Sequence, residues 1–93
     1  MNRMDPKPEA IFVVTLEGVE DGTRLTALAF VRAPDGTAAE AAGARELADL
    51  GWTGVVALRH GEVIDAQAMP ADFQGAMETV SRYGSALIIY EAP

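Results

Sequence analysis

The chain has 93 residues, of which 49% are hydrophobic, and a formal net charge of −7, which fits one small globular domain. It contains no cysteine, which excludes disulfides and thiolate chemistry, and no run of about 18 apolar residues that would predict a membrane span. The acidic excess, with arginines spread along the chain, argues against nucleic-acid binding.

The first nine residues contain two prolines and no apolar periodicity. We therefore expect a flexible arm over residues 1–9, followed by a single α+β domain over residues 10–93. The arm lacks the apolar centre of a secretory signal. Together with the preference for Arg over Lys, these features predict a cytoplasmic protein from a bacterium.

Two apolar segments, Ile11–Leu16 and Leu25–Val31, are predicted to form a β-hairpin closed by Asp21-Gly22. A two-residue Asp-Gly loop favours a type I′ turn, which sets Glu20 opposite Thr23 and fixes the register of the whole pair. Since side chains alternate across a strand, the register predicts two faces. The first face is wholly apolar and consists of Phe12, Val14, Leu16, Ala27, Ala29 and Val31. The apolar part of the second face consists of Ile11, Val13, Leu28 and Phe30.

The next segment predicts a helix from about Ala38 to Leu50, because Thr37 and Glu40 have the spacing of a capping box. Its inner half is mostly Ala with Gly43, so it can approach a sheet closely and suits the alanine-containing first face of the hairpin. Gly51 suits the left-handed position at the helix end.

The second half of the chain is predicted to form three strands, one helix and one turn. Strands are expected at Gly54–Leu58 and Glu62–Ala66, with a turn at His60-Gly61. A helix beginning near Met69-Pro70 carries the clearest apolar stripe in the sequence. The stripe consists of Phe73, Ala76, Met77, Val80 and Tyr83. The last strand, Ala86–Tyr90, is apolar on both sides and is therefore expected to be covered on both.

The predicted order ββαββαβ is that of a ferredoxin-like plait with an extra N-terminal strand. In this two-layer α+β fold, both helices lie on one face of a mainly antiparallel sheet, since right-handed crossovers place them there. The position of the extra strand is left open by the sequence. Either the extra strand is inserted between Leu25–Val31 and Ala86–Tyr90, or the last strand lies elsewhere, for example across a dimer.

The single histidine, His60, could act as a general base or a metal ligand, but the residues around it do not complete either site. A transition-metal site needs three or four protein ligands, whereas His60 has only scattered carboxylates nearby. Phosphate-binding glycine loops, nucleophile elbows and zinc-binding helix motifs are absent from the sequence. We therefore predict no catalytic residue, no metal site and no cofactor.

The single tryptophan, Trp52, follows the predicted end of the first helix. A buried corner residue is favoured over a ligand-stacking role, because buried aromatic residues dominate core energetics. If the protein does bind a small molecule, the candidate pocket residues are Trp52, His60 and Tyr90.

In a two-layer fold, the second hairpin face would be open to solvent and would mark an interaction surface. The predicted interface residues are Ile11, Val13, Leu28 and Phe30, and the favoured function is a non-catalytic module that forms a homodimer or binds a partner through them. The alternatives are a regulatory module that binds a small molecule, and a cofactor-free plait enzyme using His60 or Tyr90.

Overall fold

The computed structural model describes residues 10–64 and 71–91 and shows an α+β fold, as predicted. The predicted arm at residues 1–9 lies outside the described residues. No helix in the described ranges has the length and apolar character needed to cross a membrane. The elements in chain order are β1 (Ala10–Glu20), β2 (Thr23–Ala33), α1 (Gly36–Asp49), β3 (Thr53–Glu62), α2 (Ala71–Tyr83) and β4 (Ser85–Glu91).

The N-terminal hairpin has the predicted turn and register. Asp21 and Gly22 both have positive φ angles, 51° and 79°, as a type I′ turn requires. Glu20 faces Thr23, and the pairing continues without a shift to Ala10 and Ala33. The turn chemistry therefore determines which side chains of β1 and β2 lie on each face of the sheet.

The four strands that the structure describes form one sheet in the order β3-β1-β2-β4, and all neighbours are antiparallel. Strand β1 lies between β3 and β2, whereas β4 pairs with the other side of β2. This arrangement differs from both positions predicted for the extra strand. β1 takes the place that a strand at Glu62–Ala66 would have held in the plait.

The two helices lie on opposite faces of the sheet, so the predicted plait with both helices on one face is wrong. Helix α1 packs on the alanine-containing face, where a Cβ atom built on Gly43 would lie only 3.1 Å from the Cβ of Ala29. Helix α2 packs on the other face, where the rings of Phe30 and Phe73 are 5.5 Å apart. The rule that crossovers are right-handed applies to connections between parallel strands. Helix α2 connects β3 and β4, which run antiparallel to each other, so the rule does not determine the face on which α2 lies.

Helix α2 covers β2 and β4 on the face that was predicted to be open. Phe30 is completely buried there with Met77 and Val80, whereas Ile11, Val13 and Leu28 are partly buried and pack against this second core. Of the predicted interface residues Ile11, Val13, Leu28 and Phe30, the buried Phe30 is not available to a partner, and the other three contribute to the second core of the monomer. Self-association itself stays a prediction.

Helix α1 begins earlier than predicted. Asp35 is the N-cap residue, and its Oδ1 accepts a hydrogen bond of 2.8 Å from the backbone N–H of Ala38. Thr37 and Glu40 therefore do not form the expected capping box, because Asp35 already supplies the cap. At the other end, Gly51 has the expected positive φ, 98°.

Strand β3 also differs from the prediction, because it continues through His60-Gly61 to Glu62. Pairing with β1 holds this segment in the sheet, with Val14 opposite His60 and Val13 opposite Gly61. The predicted strand Glu62–Ala66 lies partly outside the described residues. On α2, Tyr83 is 74% exposed and is not part of the packed stripe.

The burial of Phe30 leads to a first prediction. Phe30→Ala should lower the free energy of unfolding by about 3–5 kcal/mol, because it leaves a cavity beneath α2. Tyr90→Ala, a change at a half-exposed aromatic residue in β4, should cost about 1 kcal/mol. Urea denaturation measures both values. A loss below about 1 kcal/mol for Phe30→Ala would contradict the packing of α2 on this face.

The close approach of α1 leads to a second prediction with a matched control. Gly43→Val should destabilise the protein by about 1–3 kcal/mol, since its side chain would overpack against Ala29 and Leu16. Gly75→Val should be nearly neutral, because a Cβ at this helical position meets no atom within 4 Å. Equal midpoints for the two variants in urea denaturation would refute the tight contact.

Candidate functional site

His60 lies on β3 and faces helix α1. It pairs opposite Val14 in the sheet, and its ring meets the ring of Phe12 edge-on at a centroid distance of 6.1 Å. The histidine is exposed, as predicted, but it lies within a strand and contacts both sheet and helix, whereas the sequence predicted a turn. Its position follows from the continuation of β3.

A carboxylate orients the His60 ring. The Nδ1–H group of His60 donates a hydrogen bond of 2.7 Å to Oε2 of Glu40, and the two side chains are 39% and 33% exposed. Sequence reasoning missed this pair because Glu40 was assigned to the helix cap. Its only sequence signal is that both residues are polar and belong to elements expected to pack together.

The second ring nitrogen of His60 lies against the start of α1. A Cβ atom built on Gly36 would overlap the His60 ring, with Nε2 as the nearest atom. A general base needs a free nitrogen within reach of a substrate proton, but Nε2 faces the helix backbone here. The pair of His60 and Glu40 is thus best suited to hold the N-terminus of α1 on β3.

The structure does not bring the three candidate pocket residues together. Trp52 is buried in the core beneath α1, as the corner interpretation predicted, and it packs on Gly18. Tyr90 pairs opposite Thr26 and therefore belongs to the opposite face of the sheet from His60. The geometry gives no shared pocket for Trp52, His60 and Tyr90.

The surface of α2 carries a depression that is open to solvent, and none of these three residues lines it. Its lining consists of Gly75, Glu78, Thr79, Arg82 and Tyr83. Over residues 10–64 and 71–91, no cluster of three or more His, Asp or Glu side chains is arranged to hold a metal ion.

The sheet has two outer edges, β3 and β4, and both strands carry exposed apolar side chains. On β3, Val56 and Leu58 are each 52% exposed. Strand β4 was expected to be covered on both sides, yet Ile89 and Tyr90 are each 45% exposed. Helix α2 packs on one side of β4 near its start, whereas α1 lies over β1, β2 and β3. Since β4 follows α2 and ends the sheet, no described element pairs with its outer edge.

The two edge strands differ in how well they are protected. Strand β3 has irregular pairing and carries Arg59, His60 and Glu62, and such bulges and charges discourage pairing with another chain. Strand β4 has no charged residue and no proline between Ser85 and Glu91. The edge of β4 is thus the better template for an additional strand.

Comparisons of this chain with protein-family models, with curated proteins and with solved structures found no match.

The contact between α1 and β3 gives a third prediction. In a double-mutant cycle, Glu40→Ala and His60→Ala should show a coupling of about 0.3–1 kcal/mol, which is typical of a half-exposed pair. Gly36→Ala should abolish this coupling, because its methyl group displaces the His60 ring. Thermal or urea denaturation measures the cycle, and a coupling that is unchanged in the Gly36→Ala background would disprove the contact.

Proposed function

We propose that this protein is a small non-catalytic α+β module that self-associates as a homodimer, and that the outer edge of β4 is its interface. The observation that supports the proposal is the exposure of Ile89 and Tyr90 on an uncharged edge strand. The proposal keeps the partner predicted from the sequence and moves the interface from the sheet face to the sheet edge. We also propose a cytoplasmic location.

The chemistry of an edge strand explains why pairing is favourable there. The outer backbone N–H and C=O groups of β4 have no neighbouring strand in the described sheet, and an added strand would satisfy them. Each such hydrogen bond contributes about 0.5–1.5 kcal/mol. Burial of the exposed halves of Ile89 and Tyr90 on both copies adds about 1 kcal/mol per side chain.

The acidic surface does not oppose this contact directly. The chain carries a net charge of −7, so two copies repel one another over most orientations. The central residues of β4, from Ala86 to Tyr90, are uncharged and offer a contact from which like charges are absent. The absence of charge on this strand favours contact through the β4 edge over association through the charged surface.

The oligomeric state tests this proposal. In size-exclusion chromatography with light scattering at micromolar concentration, the wild-type protein should have twice the mass of one chain. Ile89→Lys should weaken the dimer at least about tenfold, because it removes apolar contacts and places a charge on the edge.

Ile64→Lys is the matched control for this variant. It makes the same substitution at an isoleucine that is 84% exposed and lies outside β4, so it changes the net charge equally. The dimer should persist in Ile64→Lys. A monomeric wild-type protein, or equal dissociation of the two variants, would contradict the proposal.

A further inference from the structure

We infer that two copies of β4 pair antiparallel about a two-fold axis at Ile88, which joins the two sheets into one of eight strands. This inference rests on the proposed self-association and specifies its geometry. The partner of the β4 edge is thus a second copy of this chain, and both copies use the same residues of β4 in the contact.

The side-chain volumes along β4 favour this register. With Ile88 on the axis, Tyr90 of one copy lies opposite Ala86 of the other, so the largest side chain of the strand is set beside the smallest. Leu87 lies opposite Ile89, and such apolar cross-strand pairs stabilise a sheet. The half-exposed Ile89 and Tyr90 both gain a neighbour in this arrangement.

Neighbouring registers lose this complementarity. An axis at Ile89 would set Tyr90 opposite Ile88 and Leu87 opposite residue 91, so a charged position would meet the apolar centre. An axis at Leu87 would leave Tyr90 beyond the paired segment, because its counterpart would be Gly84, which precedes the strand. Ile88 is the axis position at which each of Ala86, Leu87, Ile89 and Tyr90 has an apolar partner.

The register also connects the existing cores. Ile88 pairs with Leu28 and packs in the core beneath α2, so an Ile88–Ile88 contact would bring together the α2 cores of the two copies. Leu87 pairs with Ala29 and packs against the core beneath α1, so the Leu87–Ile89 contacts would extend that side in the same way. A second copy therefore continues both layers of the monomer.

Cysteine cross-linking tests the geometry, because the natural chain contains no cysteine. Residues directly opposite in an antiparallel pair bring their Cβ atoms close enough for a disulfide, whereas residues two positions apart do not. Under mild oxidation, Ile88→Cys should form a covalent dimer at least about tenfold faster than Ile89→Cys. The double variant Leu87→Cys/Ile89→Cys should also cross-link, and it retains Ile88 if the single change impairs folding.

The outcomes separate this inference from the proposed function. Faster cross-linking of Ile89→Cys than of Ile88→Cys would overturn the register. Absence of cross-links in both Ile88→Cys and the double variant, with a dimer mass in light scattering, would overturn the β4 seam while self-association stands. A monomer mass for the wild-type protein would overturn both. Ile64→Cys should remain uncross-linked in the dimer and reports random collision.

Discussion

The type I′ turn at Asp21-Gly22 is the constraint on which the rest of the structure depends. It fixes the register of two 11-residue strands that form the centre of the sheet. A slip of one residue would exchange the two faces, since side chains alternate along a strand. Ala29 would then leave α1, and Phe30 would leave α2. The packing of both helices therefore depends on a two-residue loop that is adjacent to neither helix in the sequence.

The two faces of this hairpin explain the different packing of the two helices. Ala27 and Ala29 present a shallow surface, and Gly43 allows the backbone of α1 to approach it. On the other face, Leu28 and Phe30 are larger and meet the large side chains of α2. The tight layer is further held by the contact of His60 with Glu40. The layer beneath α2 combines aromatic and aliphatic burial with the guanidinium of Arg32, which donates hydrogen bonds to backbone carbonyls of α2.

Local chemistry predicted the hairpin, its register, the buried Trp52 and the α+β class, because each follows from residues that are close in sequence. The arrangement of helices was not predicted, since the handedness rule applies to parallel strands and the connection through α2 joins antiparallel ones. The sequence did contain a signal for the correct answer. The stripe of Phe73, Met77 and Val80 needed an apolar surface, and the second hairpin face offered one. The predicted plait left both of these apolar surfaces, the helix stripe and the second hairpin face, without a partner in the same chain.

The same correction changes where a functional surface can lie. Once α2 occupies the second face, the monomer has a helix on each side of its sheet, and the candidate pocket residues are separated between the layers. Both outer strands of the described sheet then carry exposed apolar side chains. Strand β3 carries charges and irregular pairing that protect it, whereas β4 exposes Ile89 and Tyr90 without either device. The backbone groups on the outer edge of β4 can pair with a strand of another chain, which is the chemistry behind the proposed self-association.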